Sequence, residues 1–176
     1  MNNIASLDDA ARREGLSDTT DFAESSTNGL AVVDAYALYA ISTRHTPAAT
    51  RLHGEIEAGR ARVCVPATAL AAACAFGDCL DSDCAREHVG DPSGMLRRLV
   101  GLTNVEIVAL GPSDSIKVGV MYGVRARAGI VGEEVLASCQ TLLLARQRRC
   151  GVLTTSRAAY CYAATLRDPG IEFHAV

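Results

Sequence analysis

The chain has 176 residues, 49% hydrophobic and 5% aromatic with no Trp, which is one domain's worth of residues around an aliphatic, alanine-rich core. A formal net charge of -3 excludes an overall basic footprint for non-specific nucleic-acid binding and leaves room only for a local patch. No apolar run reaches the roughly 18 residues of a membrane span, and the start Met1-Asn2-Asn3-Ile4-Ala5-Ser6-Leu7-Asp8-Asp9 has neither a basic region nor an apolar h-region. The expectation is a cytoplasmic protein with no membrane partner and with its seven cysteines reduced.

Residues 1–28 are polar and acidic and read as a flexible arm, in which Ser6 and Asp9 resemble a capping box before a short helix. The compact domain is expected over 29–176. It opens with Gly29-Leu30-Ala31-Val32-Val33-Asp34, a strand at 30–34. Helical stretches follow at 35–43 and 47–58, with Gly59 as the stop. A second strand, Arg62-Val63-Cys64-Val65-Pro66, leads into an alanine-rich helix from Thr68 to about Phe76, and 77–92 reads as a loop. A helix near 93–101 precedes a third strand at 105–110. Ser113 or Asp114 is expected to cap the next helix, which runs to about Arg127.

The helix at about 132–149 is apolar on most of its surface, so it should be buried on more than one side. A fourth strand, Gly151-Val152-Leu153-Thr154-Thr155, a helix over about 157–167 and an edge-like alternating strand at 171–175 complete the chain. Strands separated by helices argue for a three-layer α/β/α fold with a mainly parallel central sheet. Arg146, Arg148 and Arg149, with Arg125, Arg127 and Arg157, read as solvated helix faces and as charge complementing helix C-termini rather than as a binding patch.

Cys64, Cys74, Cys139 and Cys150 fall in apolar segments and read as small core residues. The spacing Cys74-x4-Cys79-x4-Cys84-x3-His88 offers four zinc-ligand types, but the gaps are loose and acids intervene. It reads as an irregular surface loop with incidental cysteines.

Asp34 is the most informative residue. The carboxyl end of a strand in an open α/β sheet opens onto the ligand crevice, and a carboxylate buried there needs a metal, a basic partner or water. An Asp before a helix serves equally as its N-cap, and position alone leaves cap and metal ligand open.

The order of elements resembles the PIN domain, the fold of VapC-type toxin ribonucleases, across about residues 30–176. Three segments carry the resemblance: Leu30-Ala31-Val32-Val33-Asp34-Ala35, Val63-Cys64-Val65-Pro66 with the helix after it, and Leu144–Ser156 with its late helix and Thr-ended strand. The resemblance implies Mg²⁺ or Mn²⁺ held by three or four carboxylates, which activate water and stabilise charge on the phosphate being cleaved. It places the first acid at Asp34. The second should fall near Ala71 or Ala72, the third at Ser138 and the fourth at Ser156, and none of these residues carries a charge.

Ser138, Thr154 and Ser156 are therefore expected to donate hydrogen bonds to a phosphate or small polar ligand. The expectation is an eroded metal site, weak in Mg²⁺ or Mn²⁺, in a protein that binds RNA, an antitoxin-like protein or further copies of itself as a homo-oligomer. The alternative is an active ribonuclease that recruits Glu134, one helical turn before Ser138 and about 6 Å along the axis, to join Asp34 as catalytic and metal-binding acids. Glu133 and Glu134 otherwise complement the macrodipole of their helix.

Overall fold

A computed structural model describes residues 17–18, 30–76, 91–155 and 170–176. The expectations for Ser6 and Asp9, for Cys79, Cys84 and His88, for Ser156 and for the helix at 157–167 lie outside the described residues. Among the described residues six strands form one sheet: β1 (Ser17–Asp18), β2 (Leu30–Val33), β3 (Arg62–Pro66), β4 (Val105–Val108), β5 (Val152–Thr154) and β6 (Phe173–Ala175). Their order is β1-β6-β5-β2-β3-β4, and every pairing is parallel. The helices are α1 (Ala35–Thr43), α2 (Pro47–Glu57), α3 (Ala67–Phe76), α4 (Pro92–Val100), α5 (Pro112–Arg127) and α6 (Glu133–Arg148).

Side chains alternate across the sheet, as strand geometry requires. Ala31 and Val33 join a core with Leu38, Ile41, Ile56, Ala69, Ala73 and Leu99, while Val32 joins Cys64, Leu142, Leu144, Ala145 and Val152 on the other face. A central strand buried on both faces explains why Leu30–Val33 reads as an unbroken apolar run. The three-layer α/β/α architecture with a parallel sheet is thus the observed fold.

Local chemistry sets the helix ends. Thr46 accepts from the Ala49 N–H at 3.0 Å with Pro47 at the first helical position, so α2 starts there. α1 stops at Arg44, whose φ of 55° turns the chain and sends its N–H back to the carbonyls of Ala40 and Ile41. The alanines of α3 allow close approach, and Ala69, Ala72 and Ala73 are buried.

Four expectations are corrected. The N-cap of α5 is Gly111, not Ser113 or Asp114. Pro112 has no N–H and a preset φ, so it starts the helix ahead of both; Asp114 instead takes Lys117 and Gln147. The last strand is not at the edge, because Ser17 and Asp18 pair with His174 and Ala175 outside it. Cys74 is exposed, since it lies on the outer side of α3, whereas Cys64 and Cys139 are buried.

Arg125 is buried as well, not solvated. Its Nη1 donates to the Met121 carbonyl at 2.9 Å and to Cys139 Sγ at 3.1 Å across the α5–α6 contact. By contrast Arg146, Arg148 and Arg149 are exposed at the end of α6, as read from the sequence.

Candidate functional site

β2 comes first in the sheet core, β3 and β4 add to one side of it, and β5 and β6 add to the other. The seam between β2 and β5 is therefore the point where strand order reverses, and the carboxyl edge at such a seam forms the crevice of an open α/β sheet. Asp34 leaves β2 at this seam, and Thr154 ends β5 beside it. The backbone locks the two ends in register through the Asp34 N–H, which donates to the Leu153 carbonyl at 3.0 Å, and the Val176 N–H after β6 donates to the Thr154 carbonyl at 2.9 Å on the other side of β5. Register also needs Gly151, since a Cβ there would sit 2.8 Å from His174 Nε2 on β6.

Asp34 is 1% exposed. One carboxylate oxygen, Oδ1, accepts from the Ala37 N–H at 2.7 Å and makes Asp34 the N-cap of α1. The other, Oδ2, accepts from the Thr154 hydroxyl at 2.6 Å. Thr154 is fully buried. A bond this short from a hydroxyl to a carboxyl oxygen lies at the strong end of the range for side-chain hydrogen bonds. Both oxygens thus hold structure: one starts a helix, the other ties β2 to β5.

Ser138 donates its hydroxyl to the Glu134 carbonyl at 2.7 Å within α6, a local bond that leaves no negative charge at the third-acid position. Glu134 is half-buried and folds back over its own helix start, where a Cβ on Gly132 would meet its Oε1 at 2.6 Å. Only glycine fits there, at φ 143°. Glu134 complements the N-terminus of α6 in this position. Ser156 lies outside the described residues.

A divalent cation of the Mg²⁺ or Mn²⁺ kind takes about six oxygen ligands and is usually anchored by more than one carboxylate. Among the described residues no group of three or more His, Cys, Asp or Glu side chains is placed to hold a metal ion. Ala71 and Ala72 on α3 add no acid. The described residues at the seam do not fit such a metal.

One residue that organises this edge was not singled out from the sequence. Gln140 of α6 is buried, accepts from the Thr68 N–H at 3.1 Å and hydroxyl at 2.7 Å, and donates to the Val108 carbonyl at 3.2 Å. It caps α3 from a distance and fixes the end of β4. Its signal in the sequence was a lone amide in the apolar run of α6.

The strand order, layers and seam can be compared with solved structures. No family model matches the sequence, and no curated protein matches it either. A chain of the VapBC2 complex from Rickettsia felis, solved bound to a DNA fragment from the promoter of its genes, shares the fold with a TM-score of 0.51 and 10% sequence identity. The match covers 82% of this chain and 96% of that one. The fold is PIN-like. At this identity the likeness concerns the path of the backbone, and the site has to be read from its own residues. No helix among the described residues is long and apolar enough to cross a membrane.

Proposed function

We propose that this PIN-like protein acts by binding and that its ancestral-type metal site is eroded. The observation that carries the reading is the state of Asp34. Its Oδ1 caps α1 and its Oδ2 holds Thr154, while the residues matching the other family acids are Ala71 or Ala72, Ser138 and Ser156. A single carboxylate so engaged supplies too little charge to anchor Mg²⁺ or Mn²⁺ for phosphodiester cleavage.

The partner class favoured by the net charge of -3 is protein rather than RNA. The PIN-like fold supports an antitoxin-like partner by analogy with the VapBC2 complex. Further copies of the chain are a second protein partner, supported by Ile116, Val120 and Val124, which lie more than half exposed at four-residue spacing along α5.

Calorimetry with Mn²⁺ tests the reading. The expected result is no site tighter than the millimolar range, roughly the weak limit for oxygen-ligand sites. A micromolar site that Asp34→Asn abolishes would restore the ribonuclease reading, with Glu134 as the recruited second acid.

A further inference from the structure

α5 is apolar on two sides. Its inner side lies on α6, with Val118 and Arg125 buried, Arg125 reaching Cys139, and Gln147 of α6 reaching Asp114. Its outer side carries Ile116, Val120 and Val124, which are 71%, 63% and 55% exposed. At about 100° per residue these three fall within about 80° of the helix circumference and form one stripe. A surface helix normally turns polar residues outward. Here the outward residues are apolar between Lys117 near one end and Arg127 at the other.

Two glycines accompany the stripe. A Cβ on Gly119 would meet nothing within 4 Å, and one on Gly123 only Arg127 Nη1 at 4.0 Å. Among the described residues the packing of α5 gives no reason for either glycine, and glycine weakens a helix interior. Beside Val120 and Val124 they let a second helix backbone come close.

The stripe is also self-complementary. Ile116 and Val124 stand four residues either side of Val120, so a two-fold axis at Val120 sets Ile116 of each copy against Val124 of the other. Charge selects the direction. With the helices antiparallel, Arg127 faces Ser113 of the other copy, and Lys117 faces Gly123, whose missing side chain leaves room for the lysine stem. A parallel arrangement would set Lys117 on Lys117 and Arg127 on Arg127 and would align the helix dipoles, both unfavourable. The paired helices would touch along about 24 Å, 16 residues at 1.5 Å each, and about 10 Å across. Beside the roughly 800 Å² per partner of a standard interface this is a small contact, which fits a weak, reversible dimer.

We propose that the outer face of α5 pairs with the same face of a second copy, antiparallel about Val120. The proposal rests on the self-association named among the partners above and gives it a surface, a direction and a register. None of these residues belongs to the Asp34 seam, so pairing and metal binding fail separately.

Sedimentation equilibrium of the full chain over roughly 5–500 µM tests it, with an expected Kd of about 10–500 µM, the weak regime of small interfaces. Val120→Glu sets two carboxylates against each other on the axis and should weaken pairing about 10-fold or more. Ile116→Lys and Val124→Glu should each weaken it too. The double variant should pair at least about 5-fold tighter than either single one, because the antiparallel register brings the two new charges together across the dimer. All three side chains are exposed, so the variants should keep the wild-type melting curve. A chain that is monomeric throughout would overturn the proposal and remove self-association from the partners as well. A dimer indifferent to these folded variants would overturn the proposal alone, since the copies would then meet elsewhere. A double variant weaker than both single ones would overturn the antiparallel register. A monomer that binds a synthetic Leu/Glu amphipathic helix, with the binding lost in Val120→Glu, would give the stripe to a different protein and overturn it too.

Discussion

Thr154 donates its hydroxyl to Asp34 Oδ2 at 2.6 Å, from the end of β5 to the end of β2, with both side chains out of contact with water. The residues are 120 positions apart in the chain, so this bond closes the sheet across its switch point. The other carboxylate oxygen caps α1.

The first prediction follows from that bond. Thr154→Val leaves a buried carboxylate oxygen one donor short and should destabilise the fold by about 1–3 kcal/mol, the range for a buried polar group left unsatisfied. Asp34→Ala removes the cap too, for which about 1 kcal/mol is typical, and should cost more than Thr154→Val. Denaturant unfolding of the two single variants and the double variant should give a coupling energy of about 1 kcal/mol or more. Additive losses would mean that the bond contributes nothing.

Gln140 gives a second prediction. Gln140→Leu keeps the apolar volume but leaves the Thr68 N–H and hydroxyl and the Val108 carbonyl without their partner. A loss of about 2 kcal/mol or more is expected on that ground, and hydrogen exchange should speed up first at the start of α3. Wild-type stability in this variant would show that water replaces the amide without penalty.

The legibility of the chain divides along physical lines. Local signals were enough for most elements: the Val32-Val33 run marked β2, Gly59 marked the stop of the helix read over 47–58, and the apolar surface of α6 was read as burial on several sides. Strand order was not read, because pairing partners lie far apart in the chain, and the edge position of Ser17–Asp18 left no mark, since two polar residues carry no alternation pattern. For Asp34 the sequence left cap and ligand open. The cap is seen in the bond from the Ala37 N–H, and the contact with Thr154, which spans the whole domain, could not be read from local sequence. Arg125 was misread for a similar reason: its charge suggests solvent, and only the packing of α5 on α6 puts it beside Cys139.

The third prediction concerns pH. Burial pushes the Cys64 thiol up to about 11, helped by its hydrogen bond to Glu106. The folded state therefore holds this proton more tightly than the unfolded chain does, whose ordinary value is 9.0. The corresponding stability is complete below pH 9 and is lost as pH rises toward 11. Unfolding free energy should fall over that window, and Cys64→Ala should show a shallower fall. Cys139 and Cys150 are also raised by burial, so part of the slope remains in the variant. An identical slope would refute the assignment to Cys64. Slow reaction of Cys64 with thiol reagents near pH 8, compared with the exposed Cys74, is the companion observation.

A fourth prediction concerns the buried guanidinium. Among the described residues Arg125 Nε has no hydrogen-bond partner and the side chain has no carboxylate beside it. A cation held this way is poorly compensated, and apolar replacement of buried charged groups is often neutral or stabilising. Arg125→Met should therefore leave the melting temperature unchanged or raise it. A fall of more than about 3 °C, on the order of 1 kcal/mol in a domain of this size, would mean that the bonds to Met121 and Cys139 outweigh the missing partner.

The most direct test of the binding reading is an RNA cleavage assay with purified protein, single-stranded RNA and Mg²⁺ or Mn²⁺, comparing wild type with Asp34→Asn. Asn is as good an N-cap as Asp, so this variant removes the charge while keeping the start of α1. The account predicts intact RNA in both cases. Metal-dependent cleavage by the wild type that disappears in Asp34→Asn, and again in Glu134→Gln, would contradict it and make the seam an active metal centre.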